Sequence, residues 1–213
     1  MKILITGFDP FGGESVNPSW EAVKNLPDTI KGAEIVKKEI PTSFERSAKV
    51  LEALLEIERP DKVLCVGQAG GRTQMMLEWV AINLMEASLA DNDGAKPCGV
   101  PVRGEGETAY FSTLPVKAMV KAGRDAGVPC KISYSAGTFV CNSVMYHALY
   151  LAEKKYPQMQ AGFLHVPFSA EQAARRPGGA ASMALSDMTR CLAAMIAAAV
   201  DAKDVDFSEG TTH

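Results

Sequence analysis

Short apolar runs alternate with helix-length amphipathic segments from one end of this 213-residue chain to the other. That alternation constrains the fold most, because neighbouring parallel strands need a long crossover between them, usually a helix. Strands are predicted over residues 2–6, 34–40, 61–66, 77–85, 130–134 and 161–166. Helices are predicted from Asn17-Pro18 to about residue 25 and over 44–58, 115–125, 141–154 and about 182–202. Pro18 suits a first helical position, where its missing N–H is not needed. In the 44–58 helix Ala48, Leu51, Leu54 and Leu55 mark the inner face. Glycine-rich loops, GFDPFGG and GQAGGR (67–72), follow the first and third strands, and residues 91–108 read as loop. The expectation is an α/β sandwich in one domain over residues 1–203. An acidic tail, 204–213, is expected to fray.

Composition narrows the function. Hydrophobic residues make up 47% and charged residues 22%, as in an ordinary globular protein, and the net charge of −3 lacks the basic excess of a nucleic-acid binder. No polybasic run or basic amphipathic helix points to a membrane surface, and the first residues lack the apolar core of a signal peptide. The charge-free stretch from Ile132 to Ala152 is long enough to cross a bilayer. It carries Ser133, Ser135, Gly137, Thr138, Asn142, Ser143 and His147, so a buried strand, loop and helix is expected instead. Five cysteines (65, 98, 130, 141 and 191) with no C-x-x-C, and three scattered histidines (147, 165 and 213), support neither a disulfide framework nor a metal site. Reduced thiols and a cytoplasmic location are expected.

Cys141 stands where a loop after a predicted strand opens a helix. A thiol there feels the positive end of the macrodipole and unpaired N–H groups, which lower its pKa and can hold an oxyanion. Cys141 also heads an apolar stripe with Val144, Met145, Ala148, Leu149 and Ala152, and periodicity alone favours a core role. A cysteine nucleophile needs an imidazole. His147 lies about 120° around the same helix from Cys141, and His213 is in the tail. His165, at the C-terminal end of a strand where α/β sites gather, is the remaining candidate; a hydrogen-bonded structural histidine is its alternative. Glu78, inside an apolar segment, is a candidate partner for the imidazole, with Glu86 as its competitor. Neither glycine-rich loop matches a phosphate-binding motif. Phe8 and Phe11 would suit a flat neutral ligand, although ordinary core packing explains them too.

GFDPFGG with NPSWEAV, GQAGGR with LEWVAIN, YFSTLP, SAGTFVCN and GFLHVP stand in the order of the signature blocks of pyroglutamyl peptidase I, which this chain resembles from Met1 to about Val200. The resemblance implies a cysteine exopeptidase that releases N-terminal pyroglutamate from peptides, with the triad Cys141, His165 and Glu78. It implies a lactam pocket at Phe8, Phe11, Gln68, Phe139 and Val140. It also implies a three-layer α/β/α sandwich around a mostly parallel, mixed sheet, no cofactor, no metal, and a homo-oligomer, tetramer or dimer. Glu86-Ala87-Ser88 stands where the family commonly has Asp-Ala-Arg, so Ser88 removes a positive charge and altered activity is expected. Two rivals rank far below: a phosphate-using nucleoside transferase, from the glycine-rich loops, and a silent binding module, from Ser88.

Overall fold

In the computed structural model, which describes residues 1–201 and 203–210, the alternation resolves into eleven strands and six helices. In chain order they are β1 (Lys2–Phe8), α1 (Pro18–Lys24), β2 (Thr29–Ile30), β3 (Ala33–Ile40), α2 (Phe44–Glu58), β4 (Lys62–Gln68), β5 (Met75–Glu78) and β6 (Val80–Ile82). There follow β7 (Ala109–Phe111), α3 (Val116–Asp125), β8 (Cys130–Ser133), α4 (Val140–Lys154), β9 (Gln160–Val166), β10 (Phe168–Ser169), α5 (Ala170–Ala174), β11 (Ser182–Met183) and α6 (Leu185–Asp201).

Seven strands form one sheet in the order β2-β3-β1-β4-β9-β5-β8. Within it β2/β3 and β9/β5 are antiparallel and the other pairs parallel. Alternate residues of a strand face opposite sides, and the core divides accordingly. Ile3, Ile5, Leu64, Val66, Leu77 and Leu164 face α1, α3 and α6. Leu4, Phe8, Val63, Cys65, Ala161 and Phe163 face α2 and α4. The architecture is the expected mixed α/β/α sandwich.

The differences are local. The single strand predicted over 77–85 begins at Met75 and breaks at Trp79, whose N–H donates to the Ser133 carbonyl at 2.7 Å. β6 then leaves the main sheet to pair with β7. The last helix begins at Leu185 because Ser182 and Met183 pair with Phe168 and Ser169, and its predicted end at residue 202 lies outside the described residues, as does His213. α5 is short and closed by a capping box, Ser169 with Gln172.

Within the described part of the tail, residues 204–210, some side chains make contacts with the rest of the fold. Asp204 accepts the Ala118 N–H at 2.7 Å, capping the first turn of α3, which has no cap of its own. Phe207 packs against the core, and Glu209 pairs with Arg124 and accepts the Ile132 N–H of edge strand β8 at 2.9 Å. Asp204 and Glu209, read as part of a solvated end, instead accept from open backbone donors, while Asp206 stays exposed. The charge-free stretch forms β8, a loop and buried α4, and among the described residues no helix is long and apolar enough to cross a membrane.

Candidate active site

The C-terminal ends of β1, β4 and β9 meet the N-terminus of α4 on the α2/α4 side of the sheet. His165 on β9 lies opposite Gly67 of β4 on one side and Met76 of β5 on the other. Glu78 of antiparallel β5 lies opposite Phe163, two residues before His165 and on the same face. This diagonal is within side-chain reach, and Glu78 Oε1 lies 2.7 Å from His165 Nδ1. Both groups are buried. A carboxylate accepts hydrogen bonds, so Nδ1 is the donor side of this contact. Arg72 Nη1 reaches the same Oε1 at 3.4 Å, while among the described residues Oε2 has no partner. Glu86, the competing carboxylate, is exposed and makes no contact with the imidazole.

Cys141 is in the first turn of α4, whose N-terminus is pinned from the side. Fully buried Asn142 donates from Nδ2 to the carbonyls of Ile82 and Leu84 at 2.9 and 3.0 Å and accepts the Ile82 N–H at 3.0 Å. Thr138 and Glu86 exchange two further hydrogen bonds, and Gly137 takes the positive φ (78°) that turns the loop. The first turn has no side-chain cap. The half-buried thiol lies over Gly67, where a Cβ atom would come within 2.8 Å of Sγ. Glycine at the end of β4 therefore makes the space the sulfur occupies next to the histidine strand.

The thiol is not acidified as its position on the helix suggests. Burial, then the Glu78 charge, push Cys141 up to about 12, against smaller lowering effects of Arg72 and its own backbone amide. The lowering effects lose to desolvation. His147, away from this site, is pushed down to about 4, first by burial and then by Arg103.

Beside the thiol is a pocket of about 120 Å³ lined by Phe8, Phe11, Asn17, Thr42, Gln68, Ala136, Phe139, Cys141 and His165. A larger cleft elsewhere, about 380 Å³ between Leu55, Pro60 and Tyr156, is lined by no cysteine or histidine. Phe11 and Phe139 stand 6.3 Å apart, and Phe44 supports Phe139 edge-on at 5.2 Å. Of the expected ring-binding residues, Phe8, Phe11, Gln68 and Phe139 line the pocket. The Val140 side chain does not; it is buried in the α2/α4 core.

Several residues shape the pocket without a role assigned to them from the sequence. Asp9 holds the GFDPFGG loop by accepting the Thr42 and Asn92 donors at 2.6 and 3.1 Å, and its carbonyl accepts from Asn17 at 2.9 Å. Asp91 accepts the Phe44 N–H at 2.8 Å, capping α2 beneath Phe139. Ser88 is exposed, and the order of this loop rests on Asp91 and Asn92. The Ser169-x-x-Gln172 spacing, a capping-box pattern, was the available signal for α5.

A profile of the pyroglutamyl peptidase family matches residues 1–202. The chain belongs to this family. It is 56% identical over 204 residues to a pyrrolidone-carboxylate peptidase of Streptococcus pyogenes, covering 96% of this chain and 94% of that protein. Among solved structures it resembles pyroglutamyl peptidase I of Bacillus amyloliquefaciens, with TM-score 0.93 and 42% identity over 97% of this chain and 99% of that one. The pyrrolidone carboxyl peptidase of Thermococcus litoralis matches with TM-score 0.92 and 33% identity over 97% and 99%.

Proposed function

We propose that this member of the pyroglutamyl peptidase family hydrolyses the amide bond after an N-terminal pyroglutamyl residue, with Cys141 as nucleophile, His165 as general acid–base and Glu78 as its orienting partner. The observation that carries this reading is the buried 2.7 Å Glu78–His165 contact, on the strand next to the glycine beneath the Cys141 thiol. Pyroglutamate has no free α-amine, so no carboxylate is needed to grip an ammonium. A planar neutral lactam fits between phenyl rings such as Phe11 and Phe139.

With the resting thiol held neutral, the nucleophile forms by proton transfer from Sγ to His165 Nε2 as sulfur attacks the pyroglutamyl carbonyl. First-turn amides of α4 are the available donors for the oxyanion. His165 returns the proton to the departing amine, which leaves a thioester. It then takes a proton from water as the water attacks, releasing pyroglutamate and the thiol. Glu78 stabilises the imidazolium formed at each stage.

The reading extends to a single peptidase domain over residues 1–203, a homo-oligomer, dimer or tetramer, and a cytoplasmic location. Five unpaired cysteines support the last. Release of a fluorescent amine from a pyroglutamyl amide, beside the prolyl amide and with or without iodoacetamide, tests the reaction. Cleavage confined to the pyroglutamyl substrate, lost on alkylation and in Cys141→Ala, is expected. Turnover by folded Cys141→Ala removes Cys141 as nucleophile.

A further inference from the structure

We infer that Gln172, outside the pocket, is a positioning residue that fixes which end of the Gln68 amide faces the substrate ring. An amide side chain presents either a donor or an acceptor, and its neighbours decide which. Gln172 is 2% exposed and its neighbours leave one orientation. Its Oε1 accepts the Ser169 backbone N–H at 3.1 Å, a group that can only donate. Its Nε2 lies 3.4 Å from the Val16 carbonyl, which can only accept. The same Nε2 donates to Gln68 Oε1 at 3.0 Å.

Polarity therefore passes from two backbone groups through Gln172 to Gln68. With Oε1 of Gln68 occupied, its NH₂ group is left free; among the described residues Nε2 makes no hydrogen bond. Gln68 lines the pocket beside Cys141 and His165. Resting on the proposed function, this arrangement offers the ring a hydrogen-bond donor, the complement of a lactam carbonyl. A ring without that carbonyl, such as proline, leaves the donor unpaired, and a site built for a hydrogen bond rejects such analogues strongly. Gln172 thereby sets specificity without touching substrate.

The decisive variant is Gln172→Glu. Glutamate serves a capping box as well as glutamine does, so one carboxylate oxygen still accepts the Ser169 N–H and α5 stays capped. The other oxygen meets Gln68 as an acceptor, which turns the Gln68 NH₂ away from the pocket and its carbonyl inward. The expected result is a rise of about tenfold in KM for the pyroglutamyl amide and in Ki for free 2-pyrrolidinone, as for a lost hydrogen bond plus an opposed one. kcat should hold within about threefold, since the reacting groups are untouched. In a Gln68→Met background Gln172→Glu should change neither constant further.

Unchanged KM and Ki in Gln172→Glu, or an effect that persists in the Gln68→Met background, overturns the inference. If Gln172→Glu does not fold, Gln68→Glu tests the same polarity with Gln172 intact. It can still accept from Gln172 but gives the pocket only an acceptor, so KM and Ki must rise, and retained binding overturns the inference. Gln68→Met with unchanged KM and Ki likewise overturns the inference, whereas wild-type enzyme without pyroglutamyl turnover brings down the functional reading and the inference with it.

Discussion

Gly67→Ala adds one methyl group at the end of β4 and tests where the thiol must sit. The backbone there is extended, so alanine is compatible with it and the effect is confined to contacts. The new Cβ would lie 2.8 Å from Cys141 Sγ and 2.8 Å from Phe163 Cζ. Ordinary non-bonded carbon contacts are about 3.5–4.0 Å, so something must yield by roughly 1 Å. Phe163 is fully buried between Phe8 and His165, whereas the thiol borders the pocket and has room to turn. Sulfur should therefore move most. A misplacement of about 1 Å at a reacting atom costs on the order of a hundredfold in rate. Overpacking a core adds a stability loss of about 1–3 kcal/mol. Steady-state kinetics on a pyroglutamyl amide should show kcat down about a hundredfold with KM changed far less. Adding Phe163→Leu should relieve the ring contact and restore part of the stability without restoring turnover. Folded Gly67→Ala with kcat within about threefold of wild type would refute the claim that this glycine holds the nucleophile in place.

Three further outcomes follow from the same geometry. Glu78→Gln should lower kcat by on the order of 10²–10⁴-fold, since the imidazolium loses its counter-charge; near-wild-type kcat would mean that the 2.7 Å contact is structural only. The ultraviolet thiolate absorbance of wild type minus Cys141→Ser should be absent near neutral pH, because burial and Glu78 hold the thiol neutral with its pKa pushed up to about 12. A thiolate already titrated at neutral pH would instead indicate a resting thiolate–imidazolium pair. His147 contributes to acid lability: the unfolded chain binds a proton below about 6.5 and the folded chain only near 4, so stability is lost as pH falls through that window. Urea unfolding of wild type and His147→Gln from neutral to acid pH should show wild type losing up to about 3 kcal/mol more, and parallel curves would reject the assignment.

Patterns carried by neighbouring residues were legible in the sequence. Apolar periodicity placed α2 at residues 44–58 as found, and put β9 and α4 within one residue of their observed starts. His165 was recognisable because strand C-termini gather sites in such sheets. Glu78 stood out because a carboxylate in an apolar run needs a partner, and it lies against His165. What the sequence did not show depends on residues far apart along the chain. The break at Trp79 is made by Ser133, and the tail docks because α3 and β8 leave donors open to Asp204 and Glu209. The space for sulfur comes from Gly67, 74 residues before Cys141. The thiol pKa inverted the local expectation because desolvation is a property of everything packed around a group, while a helix end is visible from its own few residues. The Val140 side chain is likewise buried by α4 seating against the sheet, which its own segment does not show. Thus the sequence determined the main elements and the sandwich, since these follow from local pattern, and it offered Cys141, His165 and Glu78 as candidates that the family resemblance singled out. Only the tertiary structure decided which donors, charges and empty spaces surround them, because those contacts form between segments that meet through folding alone.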